Sequence, residues 1–237
     1  MRGDLVLLHG FTQTGRSWAP VMEEVRERYR CFAPDLPGHG DAEGRRPATF
    51  DAVVAYLQAL RWDRFTLCGY SMGGRLALEA ALRLPERVAR LVLIGATAGI
   101  AGLKEREARA QADAELADRI EVIGLEAFVE EWGRLPLFGT QPRGVAEAAR
   151  ADRLRSTAPG LAAALRGMGT GVMKPRWDRL GELRMPVTVV VGEQDDRFRA
   201  LGDQLVLGLP DARLVVVPDA GHAVHLEAPH AVAEAIA

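Results

Sequence analysis

Short apolar runs alternate with longer amphipathic stretches along most of the chain. Residues 5–8, 30–33, 65–68 and 88–94 read as strands, as do 187–191 and 213–217. Between them, hydrophobic positions recur at helical spacing over 17–29, 49–60, 72–82, 198–207 and from 229 to the C-terminus. Ser17 and Thr49 are placed as N-caps of the first two helices. Strands that are apolar on both faces and separated by helices predict a parallel sheet covered on both sides.

The alternation stops between residues 97 and 174. That segment reads as helices alone, over 104–122, 125–132, 144–155 and 159–168. The expected organisation is an α/β core at 1–96 and 175–237, with a helical lid inserted at 97–174. The glycine-rich run at 167–171 suits a hinge.

Composition narrows the class. The chain has 237 residues, 48% hydrophobic and 26% charged, as expected of one large globular domain. Its apolar runs are strand-sized, far from the ~18 residues of a membrane span. A strand beginning near residue 5 leaves no room for a signal peptide, so a cytoplasmic protein is expected. A net charge of −2 gives no pull toward nucleic acid or an anionic membrane. All but two of the 30 basic residues are arginine, and asparagine is absent. Cys31 and Cys68 both fall in strands, as small hydrophobes do, and two cysteines make no disulfide framework. The five histidines are scattered and no metal-ligand spacing occurs, so no metal or other cofactor is expected.

The candidate chemistry lies at strand ends. Gly69-Tyr70-Ser71-Met72-Gly73 follows one strand and opens a helix, the setting that makes G-x-S-x-G a nucleophile turn at Ser71. Asp195 follows the 187–191 strand and His222 follows the 213–217 strand, in the chain order serine, acid, histidine. Parallel strands bring those ends to one rim. Asp196 and Glu193 compete with Asp195 for the acid, and His225 with His222 for the base; His39 is assigned to shaping a loop. Gly10 lets the chain turn after the first strand, so that the N–H groups of Phe11 and Met72 form an oxyanion hole. Arg75 stands one helical turn after Ser71 and looks back toward it.

His9-Gly10, residues 35–40 (DLPGHG), the nucleophile turn and Gly221-His222 together resemble the α/β-hydrolase fold. Within it the chain resembles the 2-succinyl-6-hydroxy-2,4-cyclohexadiene-1-carboxylate synthases of menaquinone biosynthesis. The matching residues are Ser71 to Arg75, Glu105-Arg106 with Arg109, Trp132 ahead of Leu135-Pro136-Leu137-Phe138, Gly169-Thr170-Gly171, and Gly192-Glu193 with Asp195 and Phe198. This resemblance implies that Tyr70, Arg75, Arg109, Trp132, Arg153 and Arg197 bind substrate. Arg197 stands where the family pattern has lysine. The fold usually has two strands before the His-Gly strand; here a sheet of about six strands is expected.

The resemblance also implies a reaction. A Ser-His-Asp triad abstracts a proton from 2-succinyl-5-enolpyruvyl-6-hydroxy-3-cyclohexene-1-carboxylate, and pyruvate is eliminated. The expected partner is therefore a small carboxylate molecule, not nucleic acid or membrane. The alternative on the same residues is a carboxylesterase or carbon–carbon bond hydrolase, which an apolar pocket would favour. A non-catalytic receptor is a third reading, against which an intact triad counts.

Overall fold

The computed structural model describes residues 2–237. Six strands form one parallel sheet: β1 (Gly3–Leu8), β2 (Tyr29–Phe32), β3 (Phe65–Tyr70), β4 (Val88–Ile94), β5 (Val187–Gly192) and β6 (Ala212–Val217), in the order β2-β1-β3-β4-β5-β6. The register pairs Leu7 with Cys68, Leu67 with Leu91, Leu93 with Val189 and Val189 with Leu214. Successive side chains of a strand point to opposite faces, so each central strand feeds two cores. Val6, Leu8, Leu67, Leu91 and Val189 pack against α2 (Phe50–Gln58), α3 (Met72–Arg83) and α8 (Asp196–Gly208) through Val53, Leu76 and Leu205. Leu5, Leu7, Cys68, Val92 and Val190 face α1 (Ala19–Val25) and α10 (Pro229–Ile236) through Val21, Val25 and Val232. A buried leucine of this kind stabilises by roughly 2–5 kcal/mol relative to alanine.

Four helices lie between β4 and β5: α4 (Leu103–Ile123), α5 (Leu125–Gly133), α6 (Arg143–Arg153) and α7 (Ala158–Met168). They bury their own cluster, with Ile120, Phe128, Leu161 and Leu165 at its centre. The two stems of this segment are clamped together. The Arg176 N–H donates to Ala98 O at 2.7 Å, Trp177 Nε1 donates to Gly99 O at 2.7 Å, and the Arg176 guanidinium grips Glu79 of α3 with two bonds of 2.7 and 2.8 Å. A bidentate pair this dry fixes direction as well as distance.

Several local expectations change. Thr49 caps α2 as expected, its hydroxyl accepting the Ala52 N–H at 3.3 Å. Ser17 is not the first cap. Thr14 starts a 3₁₀ turn over Gly15–Trp18, and Ser17 instead donates to Thr14 O at 2.8 Å. The helix that follows ends at Val25 rather than near 29, because Tyr29 already pairs with Gly3 in the sheet. A short helix, α9 (Val224–Glu227), stands where the pattern showed none. The run at 167–171 is packed rather than slack: a Cβ on Gly171 would lie 2.2 Å from the Ala110 nitrogen, so its glycines serve close backbone approach. No helix among the described residues is long and apolar enough to cross a membrane.

Strand β1 lies between the strands that carry Cys31 and Cys68, and both thiols are free. Side chains two strand spacings apart, ~9–10 Å, cannot be bridged. Burial pushes both thiols up, Cys68 the further. Titration of denatured, unreduced protein should therefore yield two sulfhydryls per chain; finding none would contradict this strand order.

Candidate active site

Three strand ends supply the reacting groups. Ser71 links β3 to α3 with φ 52° and ψ −109°, outside the helical and extended regions. A non-glycine residue at positive φ stores strain and persists only where its surroundings enforce it. Here α3 passes so close to the sheet that a Cβ on Gly73 would lie 2.0 Å from Leu8 O, and one on Gly69 would lie 2.2 Å from Gly73 O. Glycines at both positions admit the approach, and the serine is driven up to the rim.

His222 and Asp195 meet it there. The Ser71 hydroxyl donates to His222 Nε2 at 3.1 Å, and His222 Nδ1–H donates to Asp195 Oδ2 at 2.7 Å. The other Asp195 oxygen accepts the Phe198 N–H at 3.2 Å, capping α8, so the carboxylate is held at both ends. Asp196 points into solvent and pairs with Arg199 at 3.5 Å. His225 is buried but reaches Gln13 Oε1 at 3.2 Å and stacks on Tyr70, away from the serine. Asp195 and His222 are thus the residues hydrogen-bonded in line with Ser71, and Asp196 and His225 are not.

Phe11 follows β1 on the other side of Ser71. Among the described residues its N–H has no hydrogen-bond partner, and Met72 is the first residue of α3, whose N–H lacks an intrahelical acceptor. The loop that presents Phe11 is fixed by two neutral imidazoles. His9 Nε2 accepts the Leu36 N–H at 2.9 Å, and His39 Nε2 accepts the Thr12 N–H at 3.3 Å. Asp35 ties down the same turn by accepting the N–H groups of Gly15 and Asp41, each at 2.7 Å. His9 and His39 thus build the loop and do not face the serine.

A cavity of about 820 Å³ opens above Ser71 and His222, within the usual size of small-molecule sites. Phe11, Met72, Trp177 and Phe198 give it apolar walls; Arg75, Arg109 and Arg197 also line it. Arg75 is buried, donates to Met168 O at 2.8 Å, and has no carboxylate within ion-pair distance among the described residues. Burial, with the nearby positive charge of Arg109, pushes its guanidinium down to about 10, so it remains cationic at neutral pH. Trp132 lines the same space and packs edge-on to Phe11 at 5.3 Å; its indole N–H is buried without a partner.

Two expected binding residues lie elsewhere. Tyr70 is buried between the rings of His222 and His225 and does not line the cavity. Arg153, also buried, sits over the Phe138 ring at 4.8 Å, outside the lining, with its Nε unpartnered. β3 delivers Tyr70 against Gly10, where a Cβ would lie 2.6 Å from its ring, and α6 delivers Arg153 to Phe138, contacts that sequence spacing does not reveal. Among the lining residues that sequence reading does not single out, one is charged and sits beside an expected ligand. Asp113, one turn after Arg109 on α4, accepts its Nε–H at 2.7 Å and the Gly171 N–H at 3.2 Å. The signal was present as an acidic residue at i+4 from an arginine, but that pattern is usually a solvated surface pair.

Residues 5–235 match the family described as the alpha/beta hydrolase family. The chain belongs to the α/β-hydrolase family. The 2-succinyl-6-hydroxy-2,4-cyclohexadiene-1-carboxylate synthase of Enterobacter sp. (strain 638) is 33% identical to it, over 98% of this chain and 90% of that one. A Bacillus subtilis (strain 168) relative that bears the same name provisionally is 40% identical, over 95% of this chain and 85% of that one. These relatives place the chain in the branch of the family that holds those synthases. The solved structure of MenH from S. aureus superposes with a TM-score of 0.94 at 30% identity, covering 99% of this chain and 91% of that one. A thermophilic esterase from Thermogutta terrifontis superposes at 0.84 and 28%, covering 98% and 87%.

Replacing Ser71 by alanine should abolish most turnover, and Asp195→Asn should cost orders of magnitude because His222 loses its orienting charge. Asp196→Asn should cost far less. Steady-state kinetics on the three purified variants check this, and a larger loss at Asp196 would transfer the acid role there.

The buried imidazoles make a second prediction. Burial pushes His9 down to about 4, and His39 and His225 down to about 3, against about 6.5 when unfolded. The unfolded chain then binds more protons, so the stability these groups contribute is complete above pH 6.5 and lost as pH falls toward 4. Each is worth at most about 1.4 kcal/mol per pH unit, and exposed His230, raised by Glu24, opposes them only weakly. Denaturant unfolding should show a clear loss between pH 7.5 and 5.5, reduced in His225→Phe. Equal stability at both pH values would contradict it.

Proposed function

We propose that the chain eliminates pyruvate from 2-succinyl-5-enolpyruvyl-6-hydroxy-3-cyclohexene-1-carboxylate, forming the cyclohexadiene product for which its relatives are named, in menaquinone biosynthesis. The observation that carries this reading is the Arg75 guanidinium. It is buried in the cavity beside Ser71 with no carboxylate of its own. A buried charge left unpaired is costly, so the site is built to receive an anion. A pocket for small neutral esters would not require such a group.

The parts then take roles. Arg75 and Arg109 hold carboxylates of the substrate, with Arg197 at the cavity mouth. The ketone oxygen of the succinyl chain rests on the N–H groups of Phe11 and Met72. Ser71 passes its proton to His222 and takes the ring proton next to that ketone. The electron pair moves through the ring as the C5–O bond breaks. The leaving enolpyruvate takes up a proton and becomes pyruvate. Donors aimed at the oxygen where enolate charge develops are worth a few kcal/mol each. No water is consumed, no electron is transferred and no covalent intermediate is required, so these residues suffice without a metal or cofactor. Residues 97–174 act as the lid that carries Arg109 and Trp132 over the substrate. Tyr70 and Arg153 support the Phe11 loop from behind. The substrate is a small anion, the setting is the cytoplasm, and neither nucleic acid nor membrane takes part.

A hydrolase reading has two observations in its favour: the triad is intact, as an ester-cleaving site requires, and an esterase superposes over 98% of the chain. Kinetics separate the two. Hydrogen bonds to charged groups are worth roughly 1.5–3 kcal/mol, so Arg75→Ala or Arg109→Ala should lower kcat/KM for the enolpyruvyl substrate by about one to two decades. Arg75→Lys should recover only part, since an ammonium lacks the planar fork. Pyruvate release and p-nitrophenyl acetate hydrolysis are followed in parallel. Brisk ester hydrolysis, no pyruvate, and indifference to both arginine removals would overturn the lyase reading.

A further inference from the structure

The loop that carries His222 is held by one carboxylate that the triad does not use. Glu227, at the end of α9, accepts the Gly221 N–H at 2.8 Å through one oxygen and the Ala223 N–H at 3.0 Å through the other. These are the N–H groups of the two residues on either side of the histidine. The oxygen that holds Gly221 also accepts the hydroxyl of Thr140 at 3.1 Å. Thr140 belongs to the segment between the 3₁₀ turn Pro136–Phe138 and α6, within the helical insertion. Contact there is tight: a Cβ on Gly221 would lie 2.0 Å from Thr140 Oγ1. A glycine at that position therefore lets the insertion seat directly on the histidine loop.

We infer that Glu227 is a positioning residue that sets the His222 imidazole through the N–H groups of its neighbours Gly221 and Ala223, and that Thr140 couples the seating of the lid to it. A carboxylate has two equivalent acceptor oxygens, and both N–H groups need one. Glutamine offers a single oxygen and would turn an N–H₂ group toward one of the peptide N–H groups. The imidazole would then sit off the line between Ser71 and Asp195, where a misplacement of about 1 Å costs on the order of 100-fold.

The test reads Ser71 reactivity directly, so it does not depend on which substrate the enzyme takes. Inactivation by a fluorophosphonate, which phosphonylates the nucleophilic serine and expels fluoride, is timed from pH 5 to 9. Glu227→Gln should react about 10- to 100-fold more slowly than wild type, with a displaced pH midpoint, while its circular dichroism stays native. Thr140→Val should slow the reaction a few-fold. The double variant should be no slower than Glu227→Gln alone, because both changes act through one carboxylate. Wild-type rate and pH profile in Glu227→Gln would overturn the proposal, as would losses that multiply in the double variant. If Glu227→Gln fails to fold, Thr140→Val decides alone, and an unchanged rate and profile there overturns the coupling.

Discussion

Ser71 can stand at the rim only because α3 runs against the sheet at a distance that no side chain at residues 69 or 73 would tolerate. That single close passage forces φ at Ser71 to 52° and begins α3 at Met72, so the helix N-terminus and its free N–H lie beside the nucleophile. The strain is paid for by packing. Leu76 and Leu78 of α3 are fully buried in the core, and at roughly 1.5–3 kcal/mol each they together outweigh the ~1–3 kcal/mol that a sparsely populated backbone conformation costs. The other parts of the site are arranged around this fixed point. Asp195 and His222 leave β5 and β6 at the same rim, and the Phe11 loop leaves β1 beside them.

How much of this was legible in the sequence depended on range. The strand-to-helix turn, the order of the triad and the helical insertion are written in local pattern, since period two and period 3.6 differ plainly and a glycine pair around a serine has few other uses. Thr49 was readable as a cap for the same reason. What escaped detection was set by contacts between distant residues. Ser17 looks like a cap, but Thr14 takes that place. The glycines at 167–171 look like a hinge, yet they are where α7 leaves its helix against α4. Arg153 resembles a substrate ligand, yet α6 delivers it beneath Phe138 and outside the cavity. In each case the residue type was read correctly and its neighbour was not, because the neighbour lies on another element.

The charge pattern of the cavity bears on chemistry more than the triad does, since the triad serves many reactions on this fold. Three arginines line it, and only Arg109 has an ion-pair partner, Asp113 on its own helix. That pair fixes Nε of Arg109 at 2.7 Å, so under the proposed function the guanidinium would meet a substrate carboxylate already oriented. Arg75 is fixed differently, by Met168 O and by the Phe50 ring 6.0 Å away. Neither contact neutralises its charge. Burial is the main reason the Arg75 guanidinium is pushed down to about 10; Arg109 lowers it further and Asp113 raises it in part. Under the proposed function an anionic substrate would supply Arg75 with the counter-charge that the protein does not place within ion-pair distance. Under the proposed function that binding energy would seat the substrate against the N–H groups of Phe11 and Met72, where enolate charge would develop. Burying Arg75 without a partner thus costs stability in the free protein and returns it as affinity for carboxylates, a trade that a pocket selecting neutral esters would not make.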